Sequence, residues 1–432
     1  MKKIVLSLTG VLAATAFAPE ASAIPAFARQ TGMACSACHF QHFPVLNGFG
    51  QAFKASGFTL MGAQGRVEGE HLSIPDTLNA AVLAKLRYQK SNGTDAPNTV
   101  SGTTTNGGQW QIPDELSLFF GGRVADNETL KIGMMMENNL AAAGAPLISG
   151  LRLPIVYEMD AVKLLAIPYA TDSLGAGYGF ELNSAGAVRG VRWAENRTDI
   201  SAAQYVGVGA TAATGLAFVA HSDMGYINVS RYSPNFTMGP DTGTKMTSNW
   251  IRLAYTPTVA DWAMNIGLVS LSGSNYVAPT TFGAEMDTKG TIVDFQAQGV
   301  VAEREMSVYA QYATAPKSTA GGRLNYYNQK SNISGRKAAT IGVEYSVIPH
   351  TLHVGLAYLS ANAGKKTDIS TDKETSVTVT AAYDVAQNVA LVVNHSMRGG
   401  NIYDATTGDK AGNVAVGGTG KTLTTLMLEG AW

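Results

Sequence analysis

Cysteine is almost missing from this chain: two occur in 432 residues, and both fall within one four-residue span. A disulfide framework is excluded, so a chain of this length needs another route to stability. Charge is scarce as well, at 15% of residues, and balanced, with 31 Lys and Arg against 32 Asp and Glu. No segment is basic enough to suit a nucleic acid or a polyanionic membrane surface, and no nucleic-acid partner is expected. After the N-terminus no stretch approaches about 18 uninterrupted apolar residues, which excludes a transmembrane helix. No set of carboxylates stands out at metal-ligand spacing either.

What is present begins at the N-terminus. Lys2 and Lys3 precede an uncharged apolar run, Ile4 to Ala18, and Ala21-Ser22-Ala23 supplies a small-x-small cleavage pattern. The run is too short to span a bilayer comfortably, so residues 1–23 read as a cleaved secretory signal, with a mature start at Ile24.

From residue 76 onward the pattern is alternation. Leu78, Ala80, Val82, Ala84, Leu86 and Tyr88 share one side of an extended chain, opposite Asn79, Lys85, Arg87 and Gln89. The last segment repeats this, with Thr424, Leu426, Leu428, Gly430 and Trp432 opposite Thr425, Met427, Glu429 and Ala431. Period-two patterning over about ten residues suits a strand with an apolar outside and a polar inside. Strands are predicted near 76–90, 110–124, 129–140, 151–159, 161–170, 201–212, 215–223, 248–256, 261–271 and 290–301. Further strands are predicted near 304–314, 338–347, 350–360, 375–385, 388–398 and 422–432, sixteen in all. Short turns, such as Ala125–Glu128, Thr256–Val259, Ala302–Glu303, Ile348–Pro349 and Ala386–Gln387, alternate with long Gly/Ser/Thr/Asn-rich loops at 91–109, 224–247, 272–289, 315–337 and 399–421. Short periplasmic turns, long external loops and an even strand count predict an all-β outer-membrane antiparallel barrel over 76–432. A soluble sandwich, the competing architecture, would not need the alternation of loop lengths. Residues 171–200 break the rhythm. With Gly175, Gly177, Gly179, Arg189, Arg192, Glu195, Asn196 and Arg197, they form either a constriction or plug-contacting segment or an external loop with an extra strand.

The chemistry lies in residues 24–75. Cys35-Ser36-Ala37-Cys38-His39 is the C-x-x-C-H pattern of covalent haem attachment. Two thiols at this spacing reach the two vinyl groups on one haem edge, and His39 follows as the proximal iron ligand. A redox C-x-x-C would want a thioredoxin-like βαβ context, and a structural zinc site a second ligand pair; neither is present. One haem c in a small N-terminal helical domain is therefore expected. Leu46, Phe49 and Phe53, with Phe40, Phe43 and Phe58, supply apolar bulk for the haem or for the lumen wall. Arg29 and Lys54 are candidate propionate contacts. His42 and Met33 lie too close to the motif to reach the opposite haem face. Met61 and His71 have enough intervening chain to serve as distal ligand, and a lumen histidine (His221, His353 or His395) or an open site are the alternatives.

Around the motif the run Ile24-Pro25-Ala26-Phe27-Ala28-Arg29-Gln30-Thr31-Gly32-Met33, then Pro44, Leu46-Asn47-Gly48-Phe49-Gly50, Phe53-Lys54 and Gly57, resembles the fused monohaem cytochrome–porins of iron-oxidising bacteria. That resemblance is close over 24–60 and architectural beyond. It implies an outer-membrane electron conduit that oxidises extracellular Fe(II) by outer-sphere transfer and passes electrons to a periplasmic cytochrome or another soluble carrier. It further implies that Cys35 and Cys38 are the thioether sites and His39 the proximal ligand. The other expectations are a porin or transporter with a haem plug, and a conduit for a different external donor or acceptor.

Overall fold

The structure is a computed structural model that describes residues 25–95, 104–140, 148–171, 178–183, 191–208, 212–235, 245–277, 284–319, 322–328, 334–364, 372–403 and 420–432. The expected signal segment lies outside the described residues, as do Gly175, Gly177 and Arg189.

Sixteen strands close into one antiparallel barrel. They are β1 (Ala80–Ser91), β2 (Gln109–Asp126), β3 (Leu130–Asn139), β4 (Gly150–Arg152 continuing as Ile155–Glu158) and β5 (Lys163–Thr171). There follow β6 (Ala213–Ser222), β7 (Gly225–Ser233), β8 (Ser248–Tyr255), β9 (Trp262–Val277), β10 (Gly290–Val301) and β11 (Arg304–Ala315). The last five are β12 (Arg336–Ile348), β13 (Leu352–Asn362), β14 (Lys373–Ala386), β15 (Val389–Gly399) and β16 (Thr422–Ala431). The break in β4 falls at Pro154, which has no N–H for the ladder. Closure is made by β16 on β1, from Leu423 opposite Ser91 to Ala431 opposite Leu83.

The expected number of strands is found, but through two compensating errors. The described residues of 201–212, which are 201–208 and 212, are not a strand. Ser201 caps a short helix, Ala202–Tyr205, by accepting from the Gln204 N–H, while the Gln204 side chain returns to the Ser201 N–H. This reciprocal cap is written in the sequence as Ser-x-x-Gln, and it outweighs the apolar run that suggested a strand. Conversely, Gly225–Ser233, assigned to a loop, is β7, paired to β6 from Gly225 opposite Ser222 to Ser233 opposite Thr214.

Alternation holds along the wall. On β1, Lys85, Arg87 and Gln89 are buried in the lumen and Leu86 is exposed; on β16, Met427 and Glu429 are buried and Leu426 and Leu428 exposed. On β13, Val354, Leu356 and Tyr358 face out while His353, Ala357 and Leu359 face in. Exposed aromatics gather toward the two ends of the apolar exterior: Tyr157, Tyr255 and Trp432 toward the short turns, Trp110, Tyr276, Tyr312 and Tyr358 toward the long loops. An apolar band between aromatic girdles is the exterior of an outer-membrane barrel, and it places the chain in that membrane with the short turns toward the periplasm.

Folded protein is therefore expected to run faster on a denaturing gel before boiling than after. Leu356→Arg, on the lipid face near mid-strand, is expected to destabilise the barrel by about 2–4 kcal/mol, measured as a lower urea midpoint in lipid vesicles. Thr380→Ser, which faces inward, is expected to leave that midpoint in place.

Candidate functional site

Two parts of the chain occupy the barrel from opposite ends. Residues 25–75 enter from the short-turn end. They comprise α1 (Pro25–Thr31), a 3-10 turn (Cys35–Ala37), α2 (Gly48–Ala55) and a two-stranded hairpin (Arg66–Gly69 with Leu72–Pro75). The β5–β6 connection enters from the long-loop end and brings residues 178–183 and 191–208 inside.

The C-x-x-C-H motif is folded as a tight turn. The His39 and Cys38 N–H groups both donate to Cys35 O, at 3.0 and 3.1 Å, which puts both thiols and the imidazole on one compact loop. Asn47 clamps that loop to α2. Its Oδ1 accepts from Gly50 N at 2.9 Å as the helix cap, and its Nδ2 donates to Ser36 O and Ala37 O. The helix lies so close that a Cβ on Gly50 would stand 2.1 Å from Cys38 O; only glycine fits there.

His39 Nδ1 faces Val45 O at 3.2 Å. A carbonyl only accepts, so Nδ1 carries the hydrogen and Nε2 keeps its lone pair for a metal. Burial, assisted by His42, pulls the imidazole down to about 4 against the opposing bond to Val45, and so keeps it in the neutral form that can ligate. Burial, then the neighbouring Cys35, raises the Cys38 thiol, whereas a thiol–disulfide exchange site would lower it. Met33 and Phe49, beside the motif in sequence, remain 38% and 40% exposed, as suits side chains with an apolar macrocycle to cover. Two thiols, a neutral imidazole and uncovered apolar side chains are a donor set that fits haem c.

The module is seated by polar contacts to the barrel wall. Glu344 on β12 joins three parts: Oε2 accepts from His42 Nε2 at 2.8 Å, Oε1 from Arg192 N at 2.9 Å, and its carbonyl from Gln41 Nε2 at 3.2 Å. Gln41 also donates to Glu305 O and accepts from Ser307 Oγ. Val45 is fully buried against Val191, Trp193, Ala194, Tyr309 and Ala357. On the opposite wall, Gln30 donates to Phe58 O and Leu60 O, and its Oε1 accepts from Arg123 N and Asn79 Nδ2. Phe27, Phe53 and Phe58 pack mutually at 5.0–5.9 Å between ring centroids, with Phe27 against the barrel at Gly121. Two of the phenylalanines expected around a haem, Phe53 and Phe58, thus serve to seat the module.

The inserted segment ties the remaining wall together. Arg192 pairs with Glu429 at 3.0 Å, Asn196 donates to Ser396, Asp199 accepts from Arg398, and Ala203 N donates to Gln311. On the far side Arg252 grips Asp294 with both Nη atoms, at 2.6 and 2.9 Å, and Glu181 through Nε at 2.8 Å. Trp193 lies against Gly342, where a Cβ would come within 2.5 Å of the indole. The plug-contacting role expected for 171–200 is what the described part of this segment has.

Both proposed propionate contacts bond to backbone carbonyls, one on the barrel wall and one on the inserted segment. Arg29 donates to Ala80 O, and Lys54 donates to Glu181 O, where burial and the nearby Arg152 pull its ammonium down to about 7. Met61 belongs to the stretch that Gln30 ties to α1, flanked by Gln30 bonds to Leu60 and Gly62. His71 sits at the hairpin tip with its side chain 94% exposed. Among the histidines expected in the lumen, His353 is buried there and bonded to Ser346, and His221 packs on Phe180 and Tyr226. His395 is a correction: it lies between inward Asn394 and Ser396 and therefore faces outward, bonded to Thr424. Sequence reasoning missed Asn47, Gln41 and Glu344. Asn before a Gly-Phe-Gly-Gln helix start is a readable cap signal; the other two carry no local signal.

No protein-family model and no curated protein matches this chain. Among solved structures it is similar to OprB of Pseudomonas putida, with a TM-score of 0.52 and 9% identity over 82% of this chain and 94% of that one. It is also similar to the outer membrane channel DcaP of Acinetobacter baumannii, with a TM-score of 0.48 and 13% identity over 82% of this chain and 97% of the other. At such identities the likeness concerns the fold. The chain is a porin-like outer-membrane barrel.

Removing the Glu344 carboxylate strands a buried histidine and a buried backbone N–H. Glu344→Ala is expected to weaken module seating by about 1–3 kcal/mol for each buried group left unsatisfied, seen as rapid proteolysis within residues 25–75 while the gel shift of the barrel persists.

Proposed function

We propose that this protein is an outer-membrane electron conduit that takes electrons from extracellular Fe(II) and delivers them to a soluble periplasmic carrier. The observation that carries this is the C-x-x-C-H turn, with the His39 ring held by Val45 O at Nδ1, seated in the mouth of a barrel occupied by its own chain. Cys35 and Cys38 would hold haem c through thioethers and His39 would ligate its iron. That group supplies a one-electron couple. The chain does the rest. Asn47 and Gly50 hold the attachment loop on α2, Val45 O orients the imidazole, and Glu344 and Gln41 keep the module in the lumen. Of the two distal candidates, Met61 is favoured over His71, because it stays on the body of the module.

A haem-plugged porin is the second reading, and the inserted segment argues against it. Bonds from 178–183 reach β7, β8 and β10, and bonds from 191–208 reach β1, β11, β12, β15 and β16. A sixteen-stranded barrel ordinarily leaves an aqueous channel; here that space holds protein. Electrons need no such channel, and Fe(II) then stays outside with its ferric product.

Four outcomes are expected. Acid-acetone extraction leaves haem on the wild type, and Cys35→Ala or Cys38→Ala loosens it; complete extraction from the wild type would refute attachment. Anaerobic Fe(II) reduces the haem of the purified full chain, followed by its visible bands. Met61→Ala shifts that spectrum and His71→Ala does not, with the reverse result assigning the hairpin histidine. In planar bilayers the protein shows no porin-like conductance, and large steady steps would favour the porin reading.

A further inference from the structure

The whole chain is close to neutral, with 31 basic and 32 acidic residues, yet its short-turn face is not. Five of its turns carry exposed acids: Glu128 after β2, Asp160 after β4, Asp223 after β6, Asp261 after β8 and Glu303 after β10. The hairpin beside them adds Glu68 and Glu70, and the residue after it is Asp76. Among the described residues of this face the exposed Arg side chains are Arg29, bonded to Ala80 O, and Arg66, paired with Glu68 at 3.1 Å; Arg304, beside Glu303, is half-buried, and the exposed histidines are His71, 3.9 Å from Glu70, and His350. Lys131 and Lys163 are spent on Glu158. Turn geometry alone does not account for this, since Asn and Gly serve the left-handed turn positions equally well without charge.

The hairpin gives this field an apolar contact. Val67 stands opposite Ile74 and Gly69 opposite Leu72, so Val67, Leu72 and Ile74 share one face of the two-stranded sheet. They are 49%, 44% and 47% exposed. The hairpin is held at this mouth by Arg123, which donates to Ser73 Oγ at 2.9 Å and is paired with Asp126 at 2.6 Å. A small uncovered apolar patch within a field of one sign is a surface built for fast, weak association with a protein of opposite charge.

We infer that the periplasmic face, with the Val67/Leu72/Ile74 side of the hairpin as its contact patch, docks a cationic soluble protein that collects the electrons. This rests on the conduit reading for its purpose. Its test therefore reads binding, separately from haem reduction by Fe(II). The full haem-loaded chain in detergent is immobilised and probed with a basic soluble cytochrome c, an acidic soluble cytochrome of similar size, and polylysine. The basic cytochrome is expected to bind at low salt and weaken steeply toward physiological ionic strength; the acidic one is not expected to bind. A Glu128→Gln, Asp160→Asn, Asp261→Asn, Glu303→Gln variant is expected to lose about tenfold in affinity with a flatter salt dependence. Leu72→Ser with Ile74→Ser is expected to weaken the cytochrome severalfold at every salt concentration without altering polylysine binding. Equal binding of both cytochromes, undiminished binding by the neutralised variant, or an apolar variant that affects neither ligand would overturn the inference. So would association of the chain with itself through this patch. Docking of the basic cytochrome to protein whose haem Fe(II) does not reduce would refute the donor and leave the docking surface standing.

Discussion

An unpaired backbone N–H or C=O in hydrocarbon costs several kcal/mol, and the rest of this structure depends on avoiding that cost. Among the described residues no helix is long enough to span, and the two cysteines leave no disulfide framework; the chain closes its strands into a ring. Closure fixes the register of every pair, and register fixes which side chains meet lipid, because a slip of one residue would turn Leu426 and Leu428 inward and Glu429 outward. It also encloses a space too wide for wall side chains to fill.

That enclosed space is filled by chain entering from both ends. The lining is polar by alternation, so what fills it must offer partners as well as bulk. Glu344, Gln41, His42 and Arg192 supply them near the mouth, and Arg252, Asp294 and Glu181 farther round the wall. Buried ion pairs of this kind recover little net stability after desolvation, but each is costly to mispair. Their effect here is positional: they define one seat for the attachment loop. Around fifty residues bury too little surface to define it alone.

Much of this was legible in the sequence. The signature of Cys35, Cys38 and His39 is local and chemical, so it survives without knowledge of the fold. Wall strands such as β1 and β16 were legible because lipid on one side and water or protein on the other impose a period of two. The misassigned stretch at 201–212 fails for a physical reason: inside the lumen every face is covered, so an apolar run there has no period to betray it, and only the Ser201–Gln204 cap marks it as helix. The nine residues of β7 were hidden by the Ser, Arg and Asn that face into or sit beside a polar lumen and look like loop.

By itself the sequence determined the parts whose cause is short-range: strand periodicity, turn positions, the attachment loop and its helix cap. Tertiary structure decided what those parts meet. Arg29 and Lys54, plausible partners for a propionate by proximity along the chain, also bond Ala80 O and Glu181 O, far from them in sequence. The pairing of His42 with Glu344 joins residues 302 positions apart. No local pattern can encode such a contact, because it exists only once the ring has closed and set the inward faces of its strands around the module.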